Sequence, residues 1–290
     1  MNFFRIIFLP ITAPIKFIQR NFKATILVLF LIFTFKNADP DTIKVANLQQ
    51  INLTGAIMDA SLILEDINKA KLDTNIKGVL LVVNSPGGAV APSVEIAYAI
   101  KELNEIKPVV AYASGVMASG SYYASIWADT IIANPGSMVG SIGVIMQSVD
   151  ASELMSKIGI KTQTVKMGEY KEAGTPTRAW NTKEKQELNK VIKSTYDMFV
   201  SDVASARKLK VTNHKAYANA HIFTAIQAKE VKLIDKVATV STAKKILIKK
   251  AKVNEAIWNE KDKMEKFMEK IISTTMSQIG INSTTRLSAF

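Results

Sequence analysis

The stretch that most constrains this chain runs from Pro108 to Asp129. Pro108-Val109-Val110-Ala111 is a short apolar run of the kind that forms a buried strand. It passes into Tyr112-Ala113-Ser114-Gly115-Val116-Met117-Ala118-Ser119-Gly120-Ser121-Tyr122-Tyr123-Ala124-Ser125, which is small and Gly-punctuated and then helix-like, with no charged residue before Asp129. A strand, a tight glycine turn and a helix would set Ser119 at a helix N-terminus. There it sits among N–H groups that lack intrahelical acceptors, at the positive end of the peptide dipoles. That is the setting of a serine nucleophile. It is equally the setting of a serine N-cap on a packed helix, and the stretch alone supports both. It is not a Gly-x-Ser-x-Gly elbow, because Met117 and Ser121 occupy the two glycine positions.

Strands and helices alternate around it. Residues 42–53 mix β-branched and polar types and read as a strand. Residues 61–71 place Leu62, Leu64, Ile67 and Ala70 at near-helical spacing, and 76–83 form a buried strand. Residues 91–106 are an amphipathic helix with Val94, Ile96, Ala97, Ile100 and Leu103 inward. Beyond Asp129, residues 130–133 and the Gly-punctuated 139–146 read as strands, 152–158 as a short helix, and 161–166 as a strand. Residues 182 to about 209 read as a long helix capped by Thr182. This order predicts an α/β fold with crossover helices. Three regions follow: a basic N-terminal segment over 1–40, a main domain over 41–240, and a helical C-terminal extension with a Ser/Thr-rich tail over 241–290.

The totals remove several chemistries. No cysteine is present, which excludes disulfides, thiolate metal sites and cysteine catalysis. With only His214 and His221, a multi-histidine metal site is not expected, and neither is a cofactor. The net charge of +12 suits an anionic membrane or a nucleic acid. The basic residues are spread without a dense tract, however, so no nucleic-acid partner is expected. Residues 1–36 carry Arg5, Lys16, Arg20, Lys23 and Lys36 and no acidic residue. Within them, residues 24–35 are an unbroken apolar run, shorter than the roughly 20 residues that span a bilayer comfortably. The run could be a signal-peptide core, a buried helix or a short transmembrane anchor with snorkelling lysines; no small-x-small cleavage pattern follows, which favours an uncleaved signal anchor. The positive residues before it place the chain from about residue 40 outside the cytoplasm.

For chemistry, two segments could donate to an oxyanion: the backbone at Pro86-Gly87-Gly88, after a buried strand, and the N–H of Gly120. A serine also needs a base. His221 is remote in sequence from any Gly-rich loop and His214 lies in a polar stretch, so neither completes a triad. A lysine can serve where burial disfavours its charged form. The chain has many lysines, and spacing alone singles out Lys171 only weakly, in a loop between a strand and a proline segment.

Four segments in order resemble the signal peptide peptidase A (protease IV) family of serine proteases, in its short bacterial form. They are Asn84-Ser85-Pro86-Gly87-Gly88, Met117-Ala118-Ser119-Gly120-Ser121-Tyr122-Tyr123, Val139-Gly140-Ser141-Ile142-Gly143-Val144, and Gly168-Glu169-Tyr170-Lys171. The resemblance covers about residues 44–240. It implies a Ser-Lys dyad with Ser119 as nucleophile and Lys171 as general base, and oxyanion donors from Gly87 or Gly88 with Gly120. It also implies a spiral fold like that of ClpP and crotonase, and a homo-oligomeric ring tethered to a membrane. Remnant signal peptides would be its substrates. The place it implies is the bacterial inner membrane, single-pass, with the catalytic domain on the periplasmic side. Three departures stand out. Ser121 replaces a glycine usual in that family. The segment Ala218-Asn219-Ala220-His221-Ile222-Phe223-Thr224-Ala225 stands for its usual Asp-Gly-Arg-Val-Tyr-Thr-Gly. Lys232 replaces a glycine before Leu233-Ile234-Asp235. Two other readings stay open: an acyl-CoA-processing crotonase-like enzyme, which shares the Gly-Gly oxyanion logic, and an inactive membrane scaffold.

Overall fold

The computed structural model describes residues 21–36 and 45–259. The chain divides into two units, Met1–Val45 and Ala46–Phe290. In the first, α1 (Phe22–Lys36) is 15 residues long and apolar on all sides. At 1.5 Å per residue it is about 22 Å long, short of the roughly 30 Å hydrocarbon core of a bilayer. No helix among the described residues is long and apolar enough to cross a membrane. The transmembrane anchor expected over residues 1–40 therefore finds no spanning helix; residues 1–20 and 37–44 lie outside the described ones.

The second unit is an α/β domain, as the alternation of elements predicts. In chain order it comprises β1 (Leu48–Thr54), α2 (Ser61–Leu72), β2 (Gly78–Ser85), α3 (Val90–Ile106), β3 (Val109–Ala118), α4 (Gly120–Ser125), β4 (Thr130–Ala133) and β5 (Met138–Gly140). There follow α5 (Ser152–Lys157), α6 (Thr182–Arg207), α7 (His214–Tyr217), β6 (Ile222–Thr224), α8 (Ala225–Glu230), β7 (Lys236–Val237), α9 (Val240–Lys250) and β8 (Trp258–Asn259). The sheet runs β6-β5-β3-β2-β1-β8, and β4 pairs with both β3 and β7. All pairs are parallel except β5 with β6.

β3 is the hub. Its first half, from Val110 to Ala113, pairs with β4, and its second half, from Val116 to Ala118, pairs with β5. Between the halves its register with β2 slips, from Val83↔Ala113 to Ser85↔Met117. The Asn84 side chain spans the slip by accepting the Val116 N–H at 3.0 Å. A Cβ on Gly115 would lie 2.5 Å from that same oxygen, so a larger residue there would displace the Asn84 side chain. The small residues of the opening stretch thus continue the strand to Ala118 and re-aim it.

Helices cover both faces of the sheet, so the central strands read as unbroken apolar runs. Val79, Leu81, Val83, Val109, Ala111 and Ala113 face one core with Ile67, Ile96, Ile100, Leu103, Phe199 and Val203. Leu80, Val110, Tyr112 and Ile132 face the other, covered by Ala243 and Leu247 of α9. The chain from 240 to 259 thus lies on the sheet, with β8 paired to β1. The rest of the region expected as a helical extension, from residue 260, lies outside the described residues.

Several local expectations are corrected. β1 begins at Leu48 rather than near residue 42. The strand expected over 139–146 ends at Gly140, because Gly140 (φ +112°) and Ser141 (φ +50°) are both left-handed and break the extended chain. Residues 161–166 form no strand: they find no partner in the sheet, and a strand without a partner leaves its backbone unpaired. The cap of α6 is Asn181, which accepts the Glu184 N–H while Glu184 bonds back to the Asn181 N–H, a full capping box.

Two of the departures noted in the sequence fall where glycine would be at ease. Lys232 has φ +63° and Ala220 has φ +57°. An L-residue in this region costs about 1–2 kcal/mol. Lys232→Gly should therefore stabilise the domain by about 1 kcal/mol and raise Tm by about 2–4 °C in thermal unfolding. A lower Tm would contradict this backbone account.

Candidate active site

β3 delivers Ser119 at φ 53°, ψ −125°, a conformation that non-glycine residues rarely adopt. Hydrogen bonds on both sides hold it there. The Ser119 N–H donates to Gly140 O at 2.8 Å, and Ser119 O accepts the Tyr123 N–H at 3.0 Å. The hydroxyl does not cap α4 and makes no hydrogen bond among the described residues. Of the two readings of Ser119, the N-cap role for the side chain is thus not realised. The side chain lines a cavity instead.

The Pro86–Gly88 turn packs directly on this serine. Gly87 has φ +94°, and a Cβ there would lie 2.6 Å from Gly120 N and 2.9 Å from Ser119 Cβ. A Cβ on Gly88 would lie 2.1 Å from Ile57 O. The Ile57 N–H donates to Gly87 O, and Ile57 O accepts the Ala89 N–H, which leaves the Gly88 N–H outside the bridge. Gly120 is the first residue of α4, so its N–H has no intrahelical acceptor. The two free amides lie on neighbouring backbones: Gly88 N is 3.3 Å from where a Gly120 Cβ would sit. Gly88 and Gly120 both line the cavity together with Ser119.

Sequence reasoning missed the cavity walls. Val90, Ser93 and Val94 come from α3, Tyr123 from α4, Val144 from the segment after β5, and Met198 and Phe199 from α6. Tyr123 stands edge-on to Phe199, with ring centroids 4.7 Å apart, and its hydroxyl donates to Asp202. Burial, followed by the Asp202 carboxylate, pushes the Tyr123 phenol well above its usual range. Tyr123 lay within a recognised motif. The α6 residues carried only helical periodicity, which does not distinguish a pocket wall from core.

Ser119, Gly87, Gly88 and Gly120 come together; Lys171 does not join them within the chain. Lys171 lies in the exposed turn between Gly168 and Gly174. Its N–H donates to Gly168 O, and its amine makes no hydrogen bond or ion pair among the described residues. The same segment exposes Ile145, Val149, Leu154, Ile158, Val165 and Met167. Its base is firmly tied. Arg178 clamps Glu184 through two contacts of 2.6 and 2.9 Å and reaches Glu172 at 3.2 Å, and Lys166 pairs with Glu172 at 2.7 Å. His221 is nearer the site than its sequence position suggested. Its carbonyl accepts the Ser141 N–H at 2.7 Å, yet its ring is exposed and lies beside Phe223. No group of three or more potential metal ligands occurs among the described residues.

Two measurements check this geometry. Arg178 and the Asn181 N–H hold the Glu184 carboxyl down to about 2. A depressed carboxyl stabilises the base of the segment at neutral pH and loses that contribution as pH falls from about 4.5 towards 2. Glu184 should therefore titrate near pH 2 by carbon NMR, and a midpoint at 4 or above would contradict the clamp. Gly88→Ala should lower stability by about 1–3 kcal/mol in denaturant unfolding, since its Cβ meets backbone that cannot step aside.

Residues 101–254 match peptidase family S49. A putative protease of Methanocaldococcus jannaschii is 44% identical over 192 residues, covering 66% of this chain and 61% of that protein. A putative protease of Synechocystis sp. is 34% identical over 199 residues, 68% of this chain and 72% of its own length. A putative signal peptide peptidase SppA of Enterococcus faecium is 35% identical over 197 residues, 67% and 56% of the two chains. The matched stretch thus spans about three fifths of the archaeal protein's length.

Proposed function

Because this chain belongs to peptidase family S49, we propose that it is a serine endopeptidase in which Ser119 is the nucleophile and Lys171 the general base. The observation that carries this reading is the left-handed Ser119 beside two unclaimed amides, those of Gly88 and Gly120. A free hydroxyl at a strained strand-to-helix turn, with donors already in place, matches what acyl transfer requires.

Ser119 Oγ attacks the scissile carbonyl as the Lys171 amine takes its proton. The carbonyl oxygen becomes an anion facing the N–H groups of Gly88 and Gly120, while Gly87 supplies the turn that presents them. Collapse expels the amine product, which receives the proton back, and leaves an acyl-enzyme on Ser119. Water, deprotonated by Lys171, then releases the acid product. Donors fixed where charge develops are worth a few kcal/mol of barrier.

In this proposal Lys171 reaches the Ser119 of a second copy. The support is that its amine has no partner among the described residues, and that the segment bearing it exposes a row of apolar residues of the kind oligomer interfaces cover. The arrangement is a homo-oligomeric ring with a spiral fold of the ClpP and crotonase type. The walls given by Val90, Val94, Tyr123 and Phe199 suit apolar peptides, and remnant signal peptides are the substrates we propose. Membrane association through the apolar N-terminal region, with the domain outside the cytoplasm, completes the reading.

The test uses full-length protein and a fluorophosphonate probe alongside an apolar signal-like peptide. Ser119→Ala and Lys171→Ala should each lower cleavage by at least about a thousandfold with assembly intact. Mixing the two variants should restore part of it. Cleavage that survives Ser119→Ala would overturn the serine mechanism and favour the acyl-CoA-processing alternative. Mixed assemblies that stay inactive would overturn the shared site.

A further inference from the structure

Two buried serines beside Ser119 play no part in the chemistry above, yet their hydroxyls tie together the two segments that carry the free amides. Ser121 Oγ accepts the Ala118 N–H at 2.9 Å and lies 2.6 Å from Ser85 O and 2.9 Å from Ala118 O. A hydroxyl has one proton, and the shorter distance assigns it to Ser85 O. Ser85 in turn accepts the Gly87 N–H through its own Oγ at 3.2 Å. Both serines are fully buried. One end of this relay is Ala118, immediately before Ser119; the other is Gly87, immediately before Gly88.

We propose that Ser121 and Ser85 are positioning residues that hold the Gly88 amide in register with the Gly120 amide, so that both meet the oxyanion formed at Ser119. The inference rests on the reading of Ser119 as nucleophile. Its physical ground is the slip in pairing between Val83 and Ser85, where the β2–β3 ladder shifts register and resumes with the single pair Ser85↔Met117 just before the two turns must align. Both turns are also left-handed, at Gly87 and at Ser119, so neither is fixed by its own backbone preference. Buried hydrogen bonds between them supply the alignment: removing the Ser121 hydroxyl takes a bond from Ser85 O and one from the Ala118 N–H, and removing the Ser85 hydroxyl takes one from the Gly87 N–H. Where glycine at 121 would offer no hydroxyl, this chain gains a tie across the site.

Misalignment of a donor weakens binding of the tetrahedral oxygen more than binding of the flat substrate carbonyl, so the effect belongs in kcat. The experiment compares full-length wild type with Ser121→Ala, Ser85→Ala and Ser125→Ala, and includes Ser119→Ala. Ser125 is equally buried and donates to Ser121 O at 2.8 Å, outside the relay. The readouts are kcat and KM on a fluorogenic apolar peptide and Ki for a peptide boronic acid that adds to the serine. Ser121→Ala and Ser85→Ala should each lower kcat and raise the boronate Ki by about tenfold, with KM within twofold. Ser125→Ala should lower Tm and leave kcat and Ki within twofold of wild type. If Ser121→Ala does not fold, Ser85→Ala carries the test alone. Wild-type kcat and Ki in the relay variants would overturn the inference, as would equal losses in Ser125→Ala. Failure of the peptidase reading itself would show separately, as cleavage persisting in Ser119→Ala without boronate inhibition, and the positioning role would fall with it.

Discussion

Ser119 occupies a backbone conformation that its own side chain disfavours, and the architecture around it is what keeps it there. The strain is of the order of 1–3 kcal/mol. Gly140 O holds the Ser119 N–H, Tyr123 holds its carbonyl, and the Gly87 turn packs closely against Ser119 and Gly120. These restraints come from β5, α4 and the β2–α3 turn, so the site exists only where three parts of the sheet meet. β3 makes the meeting possible by changing partners midway, from β4 to β5.

The segment after Ser141 follows a different logic. It has no strand partner and little core of its own, yet it leads into a base clamped by Arg178, Glu172, Glu184 and Lys166 and into the capping box of α6. The same α6 supplies Met198 and Phe199 to the cavity wall and the Asp202 carboxylate to Tyr123. One helix thus anchors the segment that bears Lys171 and shapes the space beside Ser119. Further along, Arg207 pairs with Asp235 at 2.7 Å, and Asp235 accepts the Ile131 N–H, which fixes the end of α6 to β4.

Much of the fold was legible because its central strands are apolar on both faces. Runs such as 76–83 and 108–111 can be little else, and α3 matches its expected span within one residue. The strand expected at 161–166 failed because alternation cannot report whether a partner exists. Sequence alone does not fix the cap of α6, because Thr182 and Asn181 are both good caps and only the return bond from Glu184 separates them. In the site, glycines and Ser119 stood out because close backbone approach leaves a compositional mark. Sequence position hides the place of His221, since the antiparallel β5–β6 pairing that brings it to Gly140 joins elements distant in sequence. The relay through Ser85 and Ser121 was not legible, because a buried serine looks like any other small residue until its acceptors are known.

The most direct test of the account is a structure of the full-length protein with a peptide boronic acid bound. The account predicts a covalent bond from Ser119 Oγ to boron, with one boronate oxygen within about 3.1 Å of both Gly88 N and Gly120 N. A boronate attached elsewhere, or attached to Ser119 with its oxygens turned away from both amides, would contradict it.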